Sequence, residues 1–142
     1  MKVFVVDDST VIRERLKRLL GEAPQVQVVG EAAEARVALA AILDQRPDVV
    51  LLDIDILKGN SIDVLKRLKQ ERAAPAVIIL TDYPFPEYRQ LCLDAGADFF
   101  LVKSTEFEQI VPTLQRLSQN LSKLAKEQRR PGTCNRGEDT GL

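Results

Sequence analysis

Short apolar runs separated by amphipathic segments dominate this 142-residue chain. Four of the runs end in polar side chains: Asp7 and Asp8 after 3–6, Asp53 after 49–52, Thr81 after 76–80, and Lys103 after 99–102. Alternation of apolar runs with helical periodicity is typical of βα repeats, in which helices cover both faces of a parallel sheet. The pattern therefore predicts an α/β fold with the four polar ends at one edge of its sheet.

A fifth and weaker apolar run lies between the first two amphipathic segments. The predicted strands span 2–6, 26–30, 48–53, 76–81 and 98–102. Continuous Val, Ile and Leu fits strands that are buried on both faces, whereas the partly alternating run at 26–30 suits a sheet edge. Five strands alternating with five helices fit a doubly wound, flavodoxin-like parallel sheet with strand order 2-1-3-4-5.

Capping residues and apolar spacing predict the first four helices. The first follows Asp8 and Ser9, either of which can cap it; the next two span 33–45 and 61–71; the fourth runs from Pro86 to Gly96. The predicted apolar faces of the second and fourth helices are, respectively, Val37, Ala40, Ala41 and Ile42, and Tyr88, Leu91, Cys92 and Ala95.

The last helical segment is the longest and contains a proline. Thr105 and Glu108 predict a capping box at its start. At Pro112 either the helix bends, or 105–110 is a separate turn and the helix proper begins near the proline. Its apolar stripe either packs on the sheet or, at its far end, meets a partner helix, which leaves a homodimer open. We predict one domain over 1–125 and a disordered tail over 126–142, where apolar periodicity is lost.

Composition limits the classes of function. The net charge of -1 gives no indication of binding to nucleic acid or to a membrane surface. The apolar runs are too short to span a bilayer, so we expect a cytoplasmic protein. Cys92 and Cys134 are isolated, and we expect no disulfide between them. The absence of histidine excludes a phosphohistidine, a histidine base or a histidine metal ligand within this chain.

Strands one and three are neighbours in the predicted order, which places Asp7, Asp8 and Asp53 together. Three clustered carboxylates repel one another unless a cation neutralises them, and Mg²⁺ is a hard cation that prefers such oxygen ligands. Carboxylates can also act as nucleophiles that form aspartyl-phosphates, so Asp53 is the predicted phosphoacceptor. The Lys103 ammonium and the Thr81 hydroxyl would then serve the phosphoryl oxygens.

Residues 1–124 resemble the receiver domain of two-component response regulators. The resemblance rests on Asp7-Asp8, Asp53, Thr81, the turn at 95–98 and Lys103. It implies Mg²⁺-dependent transfer of a phosphoryl group to Asp53 from a sensor histidine kinase or a phosphotransfer protein, followed by autodephosphorylation rather than enzymatic turnover. It further implies that Thr81 and Phe100 switch a face formed by helix four, strand five and helix five, which then meets a downstream protein.

The chain departs from the family pattern at four positions. Leu57 and Ser104 stand where the family usually has proline, the second commonly after a cis bond. Asp82 follows Thr81 where the family favours a very small residue, so its carboxylate is expected to hinder an incoming phosphodonor. Asp55 lies two residues after the phosphoacceptor, at a position that tunes how long the phosphoryl group survives in the family.

Two alternatives remain open. Asp53 and Asp55 also match the Asp-x-Asp of haloacid-dehalogenase-type phosphatases, although there the nucleophile strand normally comes first and the acidic pair last, the reverse of the order here. Asp82 and the missing prolines motivate a second alternative, a degenerate receiver that binds partners without being phosphorylated.

Overall fold

The computed structural model describes residues 1–54, 61–82 and 85–128, with the backbone alone over 121–128. Five parallel strands form one sheet in the order β2-β1-β3-β4-β5, which confirms the predicted topology. The strands are β1 (Lys2–Val6), β2 (Gln27–Ala32), β3 (Val49–Asp53), β4 (Ala76–Thr81) and β5 (Phe99–Val102). β3 is buried along its whole length, as its unbroken apolar sequence predicts for a central strand.

Four helices connect the strands: α1 (Thr10–Gly21), α2 (Ala35–Gln45), α3 (Ser61–Lys69) and α4 (Pro86–Asp94). Of the two predicted caps for α1, Ser9 is the one observed, because its Oγ accepts a hydrogen bond from the Ile12 N–H at 3.2 Å. α4 begins at Pro86 as predicted. Gly96 follows α4 with a φ of 110°, a backbone conformation that favours glycine.

The predicted apolar faces of α2 and α4 are partly wrong. Val37, Tyr88 and Leu91 are exposed, although apolar periodicity had placed them toward the core. α2 buries Ile42 as predicted, but it does so together with Ala35 and Ala38, whose small side chains allow a close approach to the sheet. α4 turns Cys92 into the core, and Cys92 is fully buried as a small hydrophobe.

The segment after β5 is divided into three pieces: α5 (Lys103–Glu106), a 3₁₀ turn (Phe107–Gln109) and α6 (Ile110–Gln128). This arrangement confirms the alternative of a separate turn before the last helix. Pro112 lies in the first turn of α6, where its missing N–H removes no helical hydrogen bond.

The predicted capping box at Thr105 and Glu108 is wrong, because Thr105 lies inside α5. The carboxylate of Glu106 instead accepts a hydrogen bond from the Val102 N–H at 3.0 Å, just before α5 begins. The peptide bond between Lys103 and Ser104 is trans. Of the predicted tail, 126–128 continue α6, and the rest lies outside the described residues.

Within the described part of the chain, no helix combines the length and apolar character needed to cross a bilayer.

Candidate functional site

The sheet register brings the acidic residues to one edge. Val6 pairs with Leu52, so Asp7 and Asp53 each come one position beyond this pair on neighbouring strands. The side chains of Asp7 and Asp53 are buried, and Asp8 is half-buried. Carboxylate oxygens of these three residues lie within 4.8 Å of one another. The structure thus brings together the three carboxylates that the sequence predicts for one site.

Thr81 and Lys103 reach the same edge from the other side of β3. Asp53 pairs with Leu80 of β4, so Thr81 lies one position beyond. Thr81 pairs in turn with Val102, which Lys103 follows directly. Thr81 is fully buried, and the side chain of Lys103 is only 8% exposed.

Asp7 is held through both its backbone and its carboxylate. Its N–H donates to the Ala32 carbonyl at 3.0 Å, and its own carbonyl accepts from Arg13 Nη1 at 2.6 Å. Its Oδ1 accepts from the Ser9 N–H at 2.9 Å, and its Oδ2 accepts from Lys103 Nζ at 2.6 Å. Asp7 is therefore fixed by groups from β2, α1 and α5 at once.

The ammonium of Lys103 lies between two carboxylates, 2.6 Å from Asp7 Oδ2 and 3.4 Å from Asp53 Oδ1. Burial lowers the pKa of Lys103, but the hydrogen bond to Asp7 and the charges of Asp53, Asp7 and Asp82 outweigh burial, so the pKa is raised above 10.5. Lys103 is consequently a fixed positive charge at neutral pH. Its one charge offsets only part of the charge of three carboxylates.

The chemistry of this donor set fits a hard divalent cation. Mg²⁺ takes oxygen ligands, usually one or two carboxylates, and keeps several waters. Asp7, Asp8 and Asp53 offer carboxylate oxygens close enough together to hold one ion. The half-buried Asp8 leaves the cluster reachable from solvent.

Two contacts to the site were not predicted from the sequence. The buried hydroxyl of Ser61, at the start of α3, donates to the Asp53 carbonyl at 2.6 Å. Arg13 of α1 holds the Asp7 carbonyl. Neither residue follows an apolar run, so neither is among the polar residues at strand ends. For Arg13, the sequence signal was a basic residue one helical turn after Ser9.

The remaining predicted residues lie around this centre. Phe100 is buried in β5, paired in register with Ile79, and the Arg89 guanidinium carbon lies 6.0 Å from the centre of its ring. Asp82 is exposed directly after Thr81. Asp55 and Leu57 lie outside the described residues.

The sequence matches the family model of the response regulator receiver domain over residues 3–115. The chain belongs to the response regulator receiver family. The receiver domain is 35% identical over 115 residues to the uncharacterized transcriptional regulatory protein YhcZ of Bacillus subtilis, covering 81% of this chain and 54% of that protein. It is 39% identical over 103 residues to the DNA-binding transcriptional activator DevR/DosR of Mycobacterium tuberculosis, covering 72% and 48%. The receiver domain thus spans about half the length of these curated relatives.

Solved structures agree with this membership. The signal receiver domain of the response regulator NarL from Mycobacterium tuberculosis superposes with a TM-score of 0.75 at 30% identity, covering 82% of this chain and 95% of that one. These curated relatives are named as transcriptional regulators rather than as phosphatases. The three-carboxylate cluster of this receiver domain also fits the Mg²⁺ that such domains bind.

Proposed function

We propose that this receiver domain accepts a phosphoryl group on Asp53 and switches a protein-binding face in response. Membership in the receiver family supports a histidine kinase or a phosphotransfer protein as the donor, and the absence of histidine from this chain makes the donor a separate molecule. The observation that carries the proposal is the position of Lys103 between Asp7 and Asp53, next to three carboxylates that can share one cation. The proposal includes the cytoplasmic location expected from the sequence.

In the transfer step, a carboxylate oxygen of Asp53 forms a bond to phosphorus as the phosphorus–nitrogen bond of the donor breaks. The electron pair of that bond stays on the donor imidazole. Mg²⁺ bound by Asp7, Asp8 and Asp53 would offset the negative charge of the carboxylates and of the transferred group. Lys103 pairs with one phosphoryl oxygen, and the Thr81 hydroxyl donates to another.

Phosphorylation then has to change a surface that another protein recognises. The buried hydroxyl of Thr81 moves toward the new phosphoryl oxygens, and Phe100 repacks in the space beside it. Phe100 has no hydroxyl, so it acts by packing alone. The face that the sequence assigns to helix four, strand five and helix five, the long last helix, is the proposed site for a downstream protein. The exposed Tyr88 and Leu91 of α4, with Phe85 just before that helix, supply apolar area for such a contact.

The test is incubation of the full chain with acetyl phosphate and Mg²⁺, followed by intact mass and by size-exclusion chromatography. We expect a gain of one phosphoryl group in wild type and none in Asp53→Asn. Asp44→Asn, which changes an exposed carboxylate on α2, is the matched control and should be phosphorylated normally. An unmodified wild type, under conditions that modify another receiver, would favour the degenerate receiver instead. A shift to twice the mass on phosphorylation would make the partner a second copy.

Asp55 and Asp82 are the residues proposed to tune the rates. Asp55→Asn should change the lifetime of the phosphoryl group, measured as loss of the phosphorylated mass after the donor is removed. Equal lifetimes in Asp55→Asn and wild type would contradict this role for Asp55.

A further inference from the structure

Arg13 connects α1 to β2 across the backbone of Asp7. Its Nη1 donates to the Asp7 carbonyl at 2.6 Å, and its Nε donates to Glu31 Oε1 at 2.9 Å. Its Nη2 donates to Thr10 Oγ1 at 3.2 Å. The Arg13 side chain is only 14% exposed, whereas its partner Glu31 is 34% exposed. The contact to the Asp7 carbonyl is the part-buried one of the three.

The carbonyl that Arg13 holds belongs to the peptide between Asp7 and Asp8. A peptide unit is planar, so fixing the direction of this carbonyl also fixes the N–H of Asp8. The same plane fixes the two Cα atoms relative to each other, so only rotations about the adjoining backbone bonds and within the side chains remain to orient the two carboxylates. Arg13 therefore acts on the relative orientation of two carboxylates without touching either of them.

Glu31 holds the guanidinium in this orientation. One oxygen of Glu31 accepts from Arg13, and the other accepts from Lys17 Nζ at 2.6 Å. Glu31 pairs with Val5 of β1 and precedes Ala32, whose carbonyl accepts from the Asp7 N–H. Both peptide groups that flank Asp7 are thus fixed against the same end of β2.

We propose that Arg13 is a positioning residue, anchored by Glu31, that sets the Asp7–Asp8 peptide so that the acidic pair is ordered to receive a divalent cation. The inference rests on the proposed function as far as the cation is Mg²⁺. Groups that orient metal ligands commonly change metal affinity by about 10–100-fold when they are removed.

A role for Arg13 through its charge and a role through positioning predict opposite changes in Mg²⁺ affinity when Arg13 is replaced. A guanidinium bonded to the Asp7 backbone repels a cation that binds at the acidic pair, so charge alone predicts tighter binding when Arg13 is neutralised. Positioning predicts weaker binding, even when the charge is kept. Lysine keeps the charge but lacks the planar fork that spans the Asp7 carbonyl and Glu31.

The experiment measures the dissociation constant of Mg²⁺ by calorimetry in wild type, Arg13→Lys and Arg13→Gln of the full chain. We expect both variants to bind Mg²⁺ about tenfold more weakly. Arg18→Lys changes an exposed arginine of the same helix and should leave the constant unchanged. Unchanged affinity in Arg13→Lys, or tighter binding in Arg13→Gln, would overturn the inference.

A second measurement does not need the metal. In metal-free protein, the ¹⁵N–¹H signal of Asp8 should be a single sharp peak in wild type and broadened or split in Arg13→Lys, with distant amides unchanged. An unperturbed Asp8 signal in Arg13→Lys would overturn the inference whatever the metal result. If wild type binds no Mg²⁺ but the Asp8 signal responds to Arg13→Lys, the proposed metal site fails and the positioning role stands.

Discussion

Lys103 Nζ lies closer to Asp7 Oδ2, at 2.6 Å, than to Asp53 Oδ1, at 3.4 Å. The ammonium is therefore hydrogen-bonded to a proposed metal ligand and remains within ion-pair distance of the proposed phosphoacceptor. Both carboxylates are buried, so the ammonium of Lys103 contributes to the neutralisation of their charges within the protein. A cation bound at the site would neutralise part of the same negative charge.

Replacing Lys103 should make the stability of the domain depend strongly on Mg²⁺. Lys103→Met leaves buried carboxylates without their ammonium, and breaking a buried pair in this way costs up to about 3–5 kcal/mol. We expect this loss in the free energy of unfolding in EDTA, measured by urea denaturation. Saturating Mg²⁺ should recover part of the loss, because a ligand that binds only the folded state stabilises it.

Lys69→Met is the matched control for this experiment. Lys69 Nζ pairs with Asp98 at 2.7 Å, and it also donates to the Pro75 carbonyl. Its loss should lower stability equally in EDTA and in Mg²⁺. The same Mg²⁺ increment in Lys103→Met as in wild type would contradict the neutralising role of Lys103.

Asp82→Ala should speed phosphorylation by acetyl phosphate. The exposed Asp82 carboxylate follows Thr81 and repels an anionic donor, and a nearby like charge in water is worth ~1 kcal/mol, or about fivefold in rate. The gain, followed by intact mass against time, should shrink at high salt. Asp44→Ala should have the wild-type rate. Equal rates for Asp82→Ala and wild type would show that this carboxylate does not hinder the donor.

Ser61→Ala should destabilise the domain through the backbone of Asp53. The Ser61 hydroxyl donates to the Asp53 carbonyl at 2.6 Å in a buried environment, and a hydrogen bond of this kind contributes about 0.5–1.5 kcal/mol to stability. Thermal unfolding should detect this loss, while the exposed Ser104→Ala should have little effect. A Ser61→Ala protein as stable as wild type would contradict a stabilising role for this hydrogen bond.

The stability contributed by Glu31 should be lost in acid. Hydrogen bonds from Lys17 and from Arg13 lower the pKa of Glu31 below 4.5 in the folded protein. A lowered folded pKa gives stability that is present above the unfolded pKa and is lost as pH falls through the folded pKa. Glu31→Gln should therefore be less stable than wild type at pH 7. The difference should shrink as pH falls below 4.5 and vanish once the pH is below the folded pKa of Glu31.

The size of this difference should be modest, because the Glu31 side chain is 34% exposed and salt screens it. In a Lys17→Gln background the difference at pH 7 should shrink, since one of the two hydrogen-bond donors is gone. A difference between Glu31→Gln and wild type that persists unchanged in acid would contradict the ionic origin.

The grouping of the strand-end residues was predictable because a parallel sheet brings the carboxyl ends of all its strands to one edge. Asp7, Asp53, Thr81 and Lys103 could be assigned to one site once the strand order was inferred from the βα alternation. Contacts that come from a helix face or a helix start could not be assigned in this way. Arg13 and Ser61 act on backbone carbonyls, and carbonyls carry no residue-specific sequence signal.

The rotation of each helix about its own axis could likewise not be predicted from the sequence. Val37, Tyr88 and Leu91 fit an apolar stripe, yet the packing of α2 and α4 leaves them exposed. The apolar runs and their polar ends determined the fold class, the strand order and the membership of the site, because strand burial and parallel pairing depend on local sequence and chain direction. Tertiary packing alone decided that Lys103 is hydrogen-bonded to the Asp7 carboxylate and that Arg13 donates to the Asp7 carbonyl, because both contacts join groups from elements that meet only in the folded chain.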